Sequence, residues 1–237
     1  MFTYTNRIKP DDNSIVDYLK NLLDKKYQIP TFQRDVVWEK ENVKKLWDSI
    51  YKFYPLGSIL IWKTSTKLES HREIGGIQFA DNFHSNEYQY ILDGQQRTTA
   101  LLTSIYGGKI ADKENFDPKL YIDLTVDLTD VIDDTSYTKR FLFWDEIDDK
   151  DGQLKSNSGK TQRYQDKLIV SLIDFITNYS QLEKNLYENG YTNFEHPYLQ
   201  QLRRIRDIFA YYRISLIELQ GIEVAEVCQI FEPYISA

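Results

Sequence analysis

Apolar positions along this chain recur with two different periods, and glycine, proline or a capping residue separates the stretches. Ile15, Tyr18, Leu19, Leu22 and Leu23 share one helical stripe behind Ser14, a suitable cap, and predict a helix from Ile15 to about Lys25. Val43, Leu46, Trp47 and Ile50 repeat the spacing and predict a second helix from about Lys40 to Phe53. "SILIWKT" after "YPLG" is a compact strand with the composition of one buried on both faces. Residues 65–87 are polar and read as a hairpin or loop. Tyr88 to Leu92 is a strand, followed by a helix from Gln96 to Tyr106 that stops at Gly107-Gly108.

Beyond that point "LYIDLTVDL" is a strand, and a further strand is predicted from Tyr137 to Trp144, followed by a mobile loop. Helices are predicted over about Asp166–Asn189 and His196–Phe209. "YYRISLIEL" alternates as a strand does, and a last helix starts at Val224 and runs to Glu232. Helices and strands are interspersed without a regular βαβ rhythm or an internal repeat. The predicted class is α+β.

Composition narrows the function classes. With 41% apolar residues, 18 Tyr and 12 Phe, the chain can bury a sizeable core, and a folded chain is expected. One cysteine, Cys228, excludes a disulfide framework and a cysteine zinc cluster. No apolar run approaches the ~20 residues of a membrane span. The N-terminus "MFTYTNRIKPDD" lacks an apolar signal core, so a cytoplasmic protein without a membrane partner is expected. The net charge of −7 says little about nucleic acid, because residues 110–155 hold 6 Lys/Arg against 13 Asp/Glu and account for all of it. An acidic segment can coexist with a basic groove elsewhere.

The chemistry concentrates in "YILDGQQRTTAL", Tyr90 to Leu101. A strand, a glycine turn and a helix start suit an anion, because the first helical N–H groups lack internal partners and the helix dipole favours negative charge there. Gly94 lets a phosphate approach the backbone, and Arg97 in the first turn can give a bidentate contact. Asp93 can hold a divalent ion or orient water, while Gln95 and Gln96 can bond phosphate oxygens, a sugar or an attacking water. The alternative is local: Asp93 caps the helix, Arg97 pairs with it, and the glutamines are solvated. In "IPTFQRDVVW", Gln33 and Arg34 either supply a second cation to the same anion or, for Arg34, pack on Trp38 beside an exposed acid.

Other signals fail on spacing. "SNSGKT" would need the first glycine of a P-loop where Leu154 stands. "DDKDGQ" would put Ile147 and Ser158 at the first and twelfth positions of a calcium loop. His71, His84 and His196 lack metal or nucleophile spacing, and no metal-ligand set is read from the sequence. In "LRRIRD", Arg203, Arg204 and Arg206 form either a solvated helix face or a phosphate-contacting edge.

"IPTFQRDVVW", "LWDSIYKFYPLGSILIW" and "YILDGQQRTTAL", in that order, resemble the N-terminal domain of GmrSD-type restriction endonucleases, within the ParB/sulfiredoxin-like superfamily. "VAEVCQIFEPYISA" resembles that family's closing helix, so the resemblance runs from about Tyr27 to the end. It implies a ParB/sulfiredoxin-like nucleotide-binding core with added helices, as a single domain over 1–237 with an acidic insertion at about 110–161. It also implies that a nucleoside triphosphate with Mg²⁺ binds at Gly94, Gln95, Gln96, Arg97 and Thr98, closed over by Gln33 and Arg34. Asp93, Gln96 and Arg97 would be the catalytic residues for hydrolysis that controls cleavage of modified DNA in phage defence. Nothing in the chain resembles the family's C-terminal nuclease segment, so cleavage is expected from a separate nuclease domain or subunit. A non-enzymatic nucleotide- or DNA-binding module that switches such a nuclease is the alternative.

Overall fold

The computed structural model describes residues 7–31, 39–80, 86–109, 116–126, 135–147 and 160–227. In chain order, β1 (Ile8–Ser14), α1 (Ile15–Leu23) and β2 (Tyr27–Gln28) come first, then α2 (Lys40–Tyr51) and β3 (Ile59–Thr64). A short hairpin, β4 (Glu73–Ile74) and β5 (Ile77–Gln78), precedes β6 (Tyr88–Asp93) and α3 (Gln95–Tyr106). Next are β7 (Leu120–Asp123), α4 (Tyr137–Arg140), β8 (Phe141–Phe143) and a 3-10 turn at Trp144–Glu146. The remainder is α5 (Gln162–Gln165), β9 (Ile169–Ser171), α6 (Leu172–Thr177), α7 (Tyr179–Glu188), α8 (Pro197–Tyr211) and β10 (Arg213–Leu219). The architecture is α+β, as the pattern predicts. It divides into two compact units, one of Met1–Val36, Leu56–Thr99 and Arg213–Ala237, the other of Val37–Pro55 and Ala100–Tyr212.

The first unit is built on a five-stranded mixed sheet in the order β1-β10-β3-β6-β2. β1 is antiparallel to β10 and β3 to β6, whereas β10 runs parallel to β3 and β2 parallel to β6. Ser14 caps α1 by accepting the Asp17 N–H at 3.0 Å, and Ile15, Tyr18, Leu19 and Leu22 form its buried stripe. Trp62, Tyr90, Leu92, Leu219 and Val227 make one core cluster, with the Trp62 indole N–H donating to the Ile222 carbonyl at 3.0 Å.

The second unit has the antiparallel sheet β8-β7-β9 and most of the helices. Tyr51 sits between two guanidinium groups, Arg140 at 4.3 Å and Arg204 at 4.5 Å from its ring centre, and donates its hydroxyl to Gln201 at 2.6 Å. Burial of such phenols has a measurable consequence. It pushes Tyr18, Tyr27, Tyr51, Tyr90 and Tyr121 above the ordinary tyrosine value. The unfolded chain ionises its tyrosines near pH ~10, so this stability is complete below that pH and drains as pH rises toward the folded values. A urea midpoint that is flat to about pH 9.5 and then falls, with exposed phenols ionising first and the buried share of the tyrosinate absorbance appearing only as the chain unfolds, is the expected result. Free ionisation of all tyrosines before unfolding rejects it.

The structure adds one strand that the pattern did not predict and corrects two predicted elements. Residues 8–14, without apolar alternation, are a strand because β10 pairs with them from Ile8↔Leu219 to Ser14↔Arg213. The strand expected from Tyr137 to Trp144 begins as helix α4 and pairs only from Phe141 to Phe143, where β7 is available. The helix expected over Asp166–Asn189 is interrupted: Ile169–Ser171 is taken by β7 as a strand, and α6 ends at Asn178, whose φ is −138°. Residues 224–227 are helical, and the rest of that predicted helix lies outside the described residues, as do Trp38 and the "DDKDGQ" stretch. Lys160, the lysine of the rejected P-loop, is buried and donates to the Trp144 carbonyl at 2.8 Å.

Candidate nucleotide-phosphate site

β6 does not reach its turn in even register. Leu60 faces Asp93 while the next residue, Ile61, faces Ile91, so Leu92 is an extra residue on β6. Such a bulge bends the strand and re-aims the residues beyond it. The side chain of Asp93, last in the strand, is 65% exposed. Gly94 then turns the chain at φ 95°, and a Cβ there would lie 2.9 Å from Ile59 Cγ1, so the turn has no room for a side chain.

α3 starts at Gln95, with Gly94 in the capping place, not Asp93. The Thr98 N–H donates to the Gly94 carbonyl at 2.9 Å, and no bond to the N–H groups of Gln95 and Arg97 comes from the described residues. These are the orphan donors that every helix start carries, here beside a residue with no side chain. Thr98 holds the turn from behind. Its hydroxyl is fully buried, donates to the Gly94 carbonyl at 2.9 Å and lies 2.6 Å from the Tyr18 hydroxyl. Burial pushes the Tyr18 phenol far above its usual value, more than its bond to Thr98 and the Arg97 charge lower it. That contact therefore stays neutral.

Arg97 has a role that spacing did not reveal. Nη1 donates to the Leu56 carbonyl at 2.6 Å, and Nη2 donates to the Ser58 carbonyl at 3.1 Å and to Asp93 Oδ2 at 3.4 Å. Its Nη edge thus clips the turn between α2 and β3, leaving Nε–H and one Nη1–H as its remaining donors. The same turn contains Gly57 at φ 77°, where a Cβ would come within 3.1 Å of Arg97 Nη1. The local pairing of Arg97 with Asp93 is formed, but it is the longest of the three contacts. "YPLG" carried the signal for this receptor, although its turn residues say nothing of what binds their carbonyls.

Gln96 is exposed at the helix start and Gln95 is half-buried. Gln33 and Arg34 lie outside the described residues. The segment leading into their motif does not: β2 runs parallel to β6, with Tyr27 beside Gln89 and Gln28 beside Tyr90. Ile29 and Thr31 go on to bond the neighbouring 69–71 segment, by His71 N–H to Ile29 at 2.9 Å and Thr31 N–H to Glu69 at 3.1 Å. The two residues just before the upstream motif are thus in the same sheet as the DGQQR strand, and Ile29 to Thr31 leave it for the 69–71 segment. Among the described residues no three His, Cys, Asp or Glu side chains gather as a metal site. Asp93 nonetheless fits the usual habit of Mg²⁺, which takes one or two carboxylates and completes its shell with substrate phosphates and water.

The family model of the GmrSD restriction endonuclease N-terminal domain matches residues 17–233. This chain belongs to that family. A GmrSD N-terminal domain is, by that description, part of a restriction endonuclease. The chain is also similar to an uncharacterized protein of Methanocaldococcus jannaschii, at 26% identity over 133 residues. That alignment covers 54% of this chain and 23% of the relative, so the chain spans about a quarter of the length of the curated relative it matches. Among the described residues, no helix of this GmrSD domain is long and apolar enough to cross a membrane.

Proposed function

We propose that this domain is the nucleotide-dependent regulatory part of a DNA restriction system that acts in phage defence. In this reading a nucleoside triphosphate binds at the Asp93–Thr98 turn and is hydrolysed there, and a nuclease domain or subunit cuts the DNA. One observation carries the reading: a bulged strand ends in a glycine that cannot hold a side chain, at a helix start with unengaged N–H groups flanked by exposed Asp93 and Gln96. The Gln95 and Arg97 amides would receive phosphate oxygens, with the remaining Arg97 donors adding charge. Asp93 would hold Mg²⁺ or orient the attacking water, and Gln96 would fix the water's position. Bound Mg²⁺ would neutralise charge on the phosphates. Thr98 and Tyr18 keep the turn in shape, and Gln33 and Arg34 would close the site.

The grip of Arg97 on Leu56 and Ser58 favours a second reading, a binding module without turnover. A phosphate that drew the Nη edge to itself would release the 56–58 turn, so nucleotide occupancy would be transmitted as a change in that turn. Phosphate release and nucleotide binding, measured separately over a panel of nucleoside triphosphates with Mg²⁺, decide between the two. Asp93→Asn, at an exposed position, is expected to keep the fold and lower turnover by about 10²–10⁴-fold. Arg97→Ala is expected to lose turnover as well, with weakened nucleotide binding. Wild-type rates in Asp93→Asn reject the catalytic assignment, and tight binding with no phosphate release selects the switch.

A further inference from the structure

The second unit contains a hollow of about 480 Å³ that the nucleotide reading leaves unused. Its volume falls within the ~300–1,000 Å³ typical of small-ligand sites. Phe53, just after α2, and Phe194, just before α8, supply its aromatic surface, and α8 supplies polar residues.

Phe194 is 67% exposed, yet it is not a loose side chain. The Arg203 guanidinium lies 3.6 Å from its ring centre and donates to its carbonyl at 2.7 Å. Arg203 is in turn 3.9 Å from Glu183. A ring held in this way is a platform with open surface left to offer. Phe53 is a second anomaly, at φ 56°, a left-handed position directly beyond the C-cap of α2. Glycine is favoured there, because a Cβ is strained at positive φ. Lys25 and Lys167 occupy comparable positions with lysine, whereas Phe53 puts a ring there that stays 49% exposed. Helix termination gives no reason for this choice, and packing against the Tyr212 ring, with centres 5.9 Å apart, still leaves half of the ring open.

The polar groups are equally specific. Arg204 lines the hollow, and with Nη2 holding the Tyr51 carbonyl at 3.1 Å its Nη1 hydrogens are left as donors. Gln200 offers both a donor and an acceptor, and Asp207 and Glu195 offer acceptors. Two arginines against two acids leave no positive surplus, so the hollow is not a phosphate cradle. A flat ligand with a π face and mixed donors and acceptors around its edge matches it. We propose that this hollow takes one nucleobase, stacked on Phe194 and bounded by Phe53, with its edge read by Gln200, Arg204 and Asp207. This deepens the reading of DNA as a partner and rests on it, but not on the nucleotide turn.

The test uses the full chain and a labelled single-stranded 12-mer in fluorescence anisotropy, with an abasic strand of the same length as the control. Stacking on one aromatic ring predicts that Phe194→Ala weakens binding of the intact strand by about 10-fold or more. The abasic strand should bind wild type and Phe194→Ala alike. Phe53→Gly should also lose affinity for the intact strand while its thermal stability holds or rises, which a merely structural Phe53 would not produce. Equal affinity of wild type and Phe194→Ala for the intact strand overturns the site and leaves DNA as a partner. Equal binding of abasic and intact strands by the wild type overturns base recognition in the same way. No binding of either strand by the wild type overturns both the site and the DNA reading, with nucleotide binding at the Asp93 turn measured independently.

Discussion

Gly94→Ala is expected to destabilise the protein by about 2–5 kcal/mol and to abolish the proposed nucleotide binding. Two effects add at this position. The backbone is at φ 95°, a region where an L-residue is strained by roughly 1–2 kcal/mol. The new Cβ would also lie 2.9 Å from Ile59 Cγ1 and 3.3 Å from Cγ2, an overpacking that typically costs about 1–3 kcal/mol. Ile59 has little freedom to retreat. It is 2% exposed and held in β3, where it faces Leu216 of β10. A shift of the turn instead would displace the Gln95 and Arg97 amides and loosen the Thr98 contact with Tyr18. The urea midpoint reads the first effect and nucleotide titration the second. A double-mutant cycle with Ile59→Ala, whose own cavity cost the single variant reports, separates the steric part, which it relieves, from the backbone strain, which it leaves. Should Gly94→Ala unfold at the wild-type midpoint, this turn geometry is wrong.

Asp48→Ala should lose about 3–5 kcal/mol, the usual result of removing one partner from a buried charge group. Asp48, on α2, accepts from Lys52 Nζ at 2.7 Å and lies 3.8 Å from Arg140 Nη1. The Lys52 side chain is 7% exposed and the Arg140 side chain fully buried, so the carboxylate offsets charge that water hardly reaches. Arg140 also lies over Tyr51, whose hydroxyl reaches Gln201, and the loss should loosen that stack as well. Lys52→Met in the Asp48→Ala background should restore part of the stability by removing the stranded cation. Chemical denaturation of the two single variants and the double variant gives the coupling. A single-variant loss below about 1 kcal/mol would mean the group is solvated like a surface pair.

Elements written by neighbouring residues were legible in the chain. Ser14 and the stripe behind it specified α1, and an apolar strand, a glycine and a helix start specified the β6–α3 turn, because caps and periodicity act within a few residues. The same locality explains the errors. Ile169–Ser171 has a place in a plausible helix, but β7 offers it a ladder, and distant pairing outweighs weak local preference. The strand β1 carries no local signal, since its hydrogen bonds come from β10, about two hundred residues along.

The order of residues was enough to establish the α+β class and the family resemblance, and to single out Asp93–Arg97 as the candidate site. Folding was needed to establish that Arg97 turns its Nη edge to the carbonyls of Leu56 and Ser58, that β2 lies beside β6, and that Phe53, Phe194 and α8 enclose one hollow. The physical reason is that a residue type states which bonds a side chain can make, whereas the partner is chosen by pairing and burial among segments far apart in the chain.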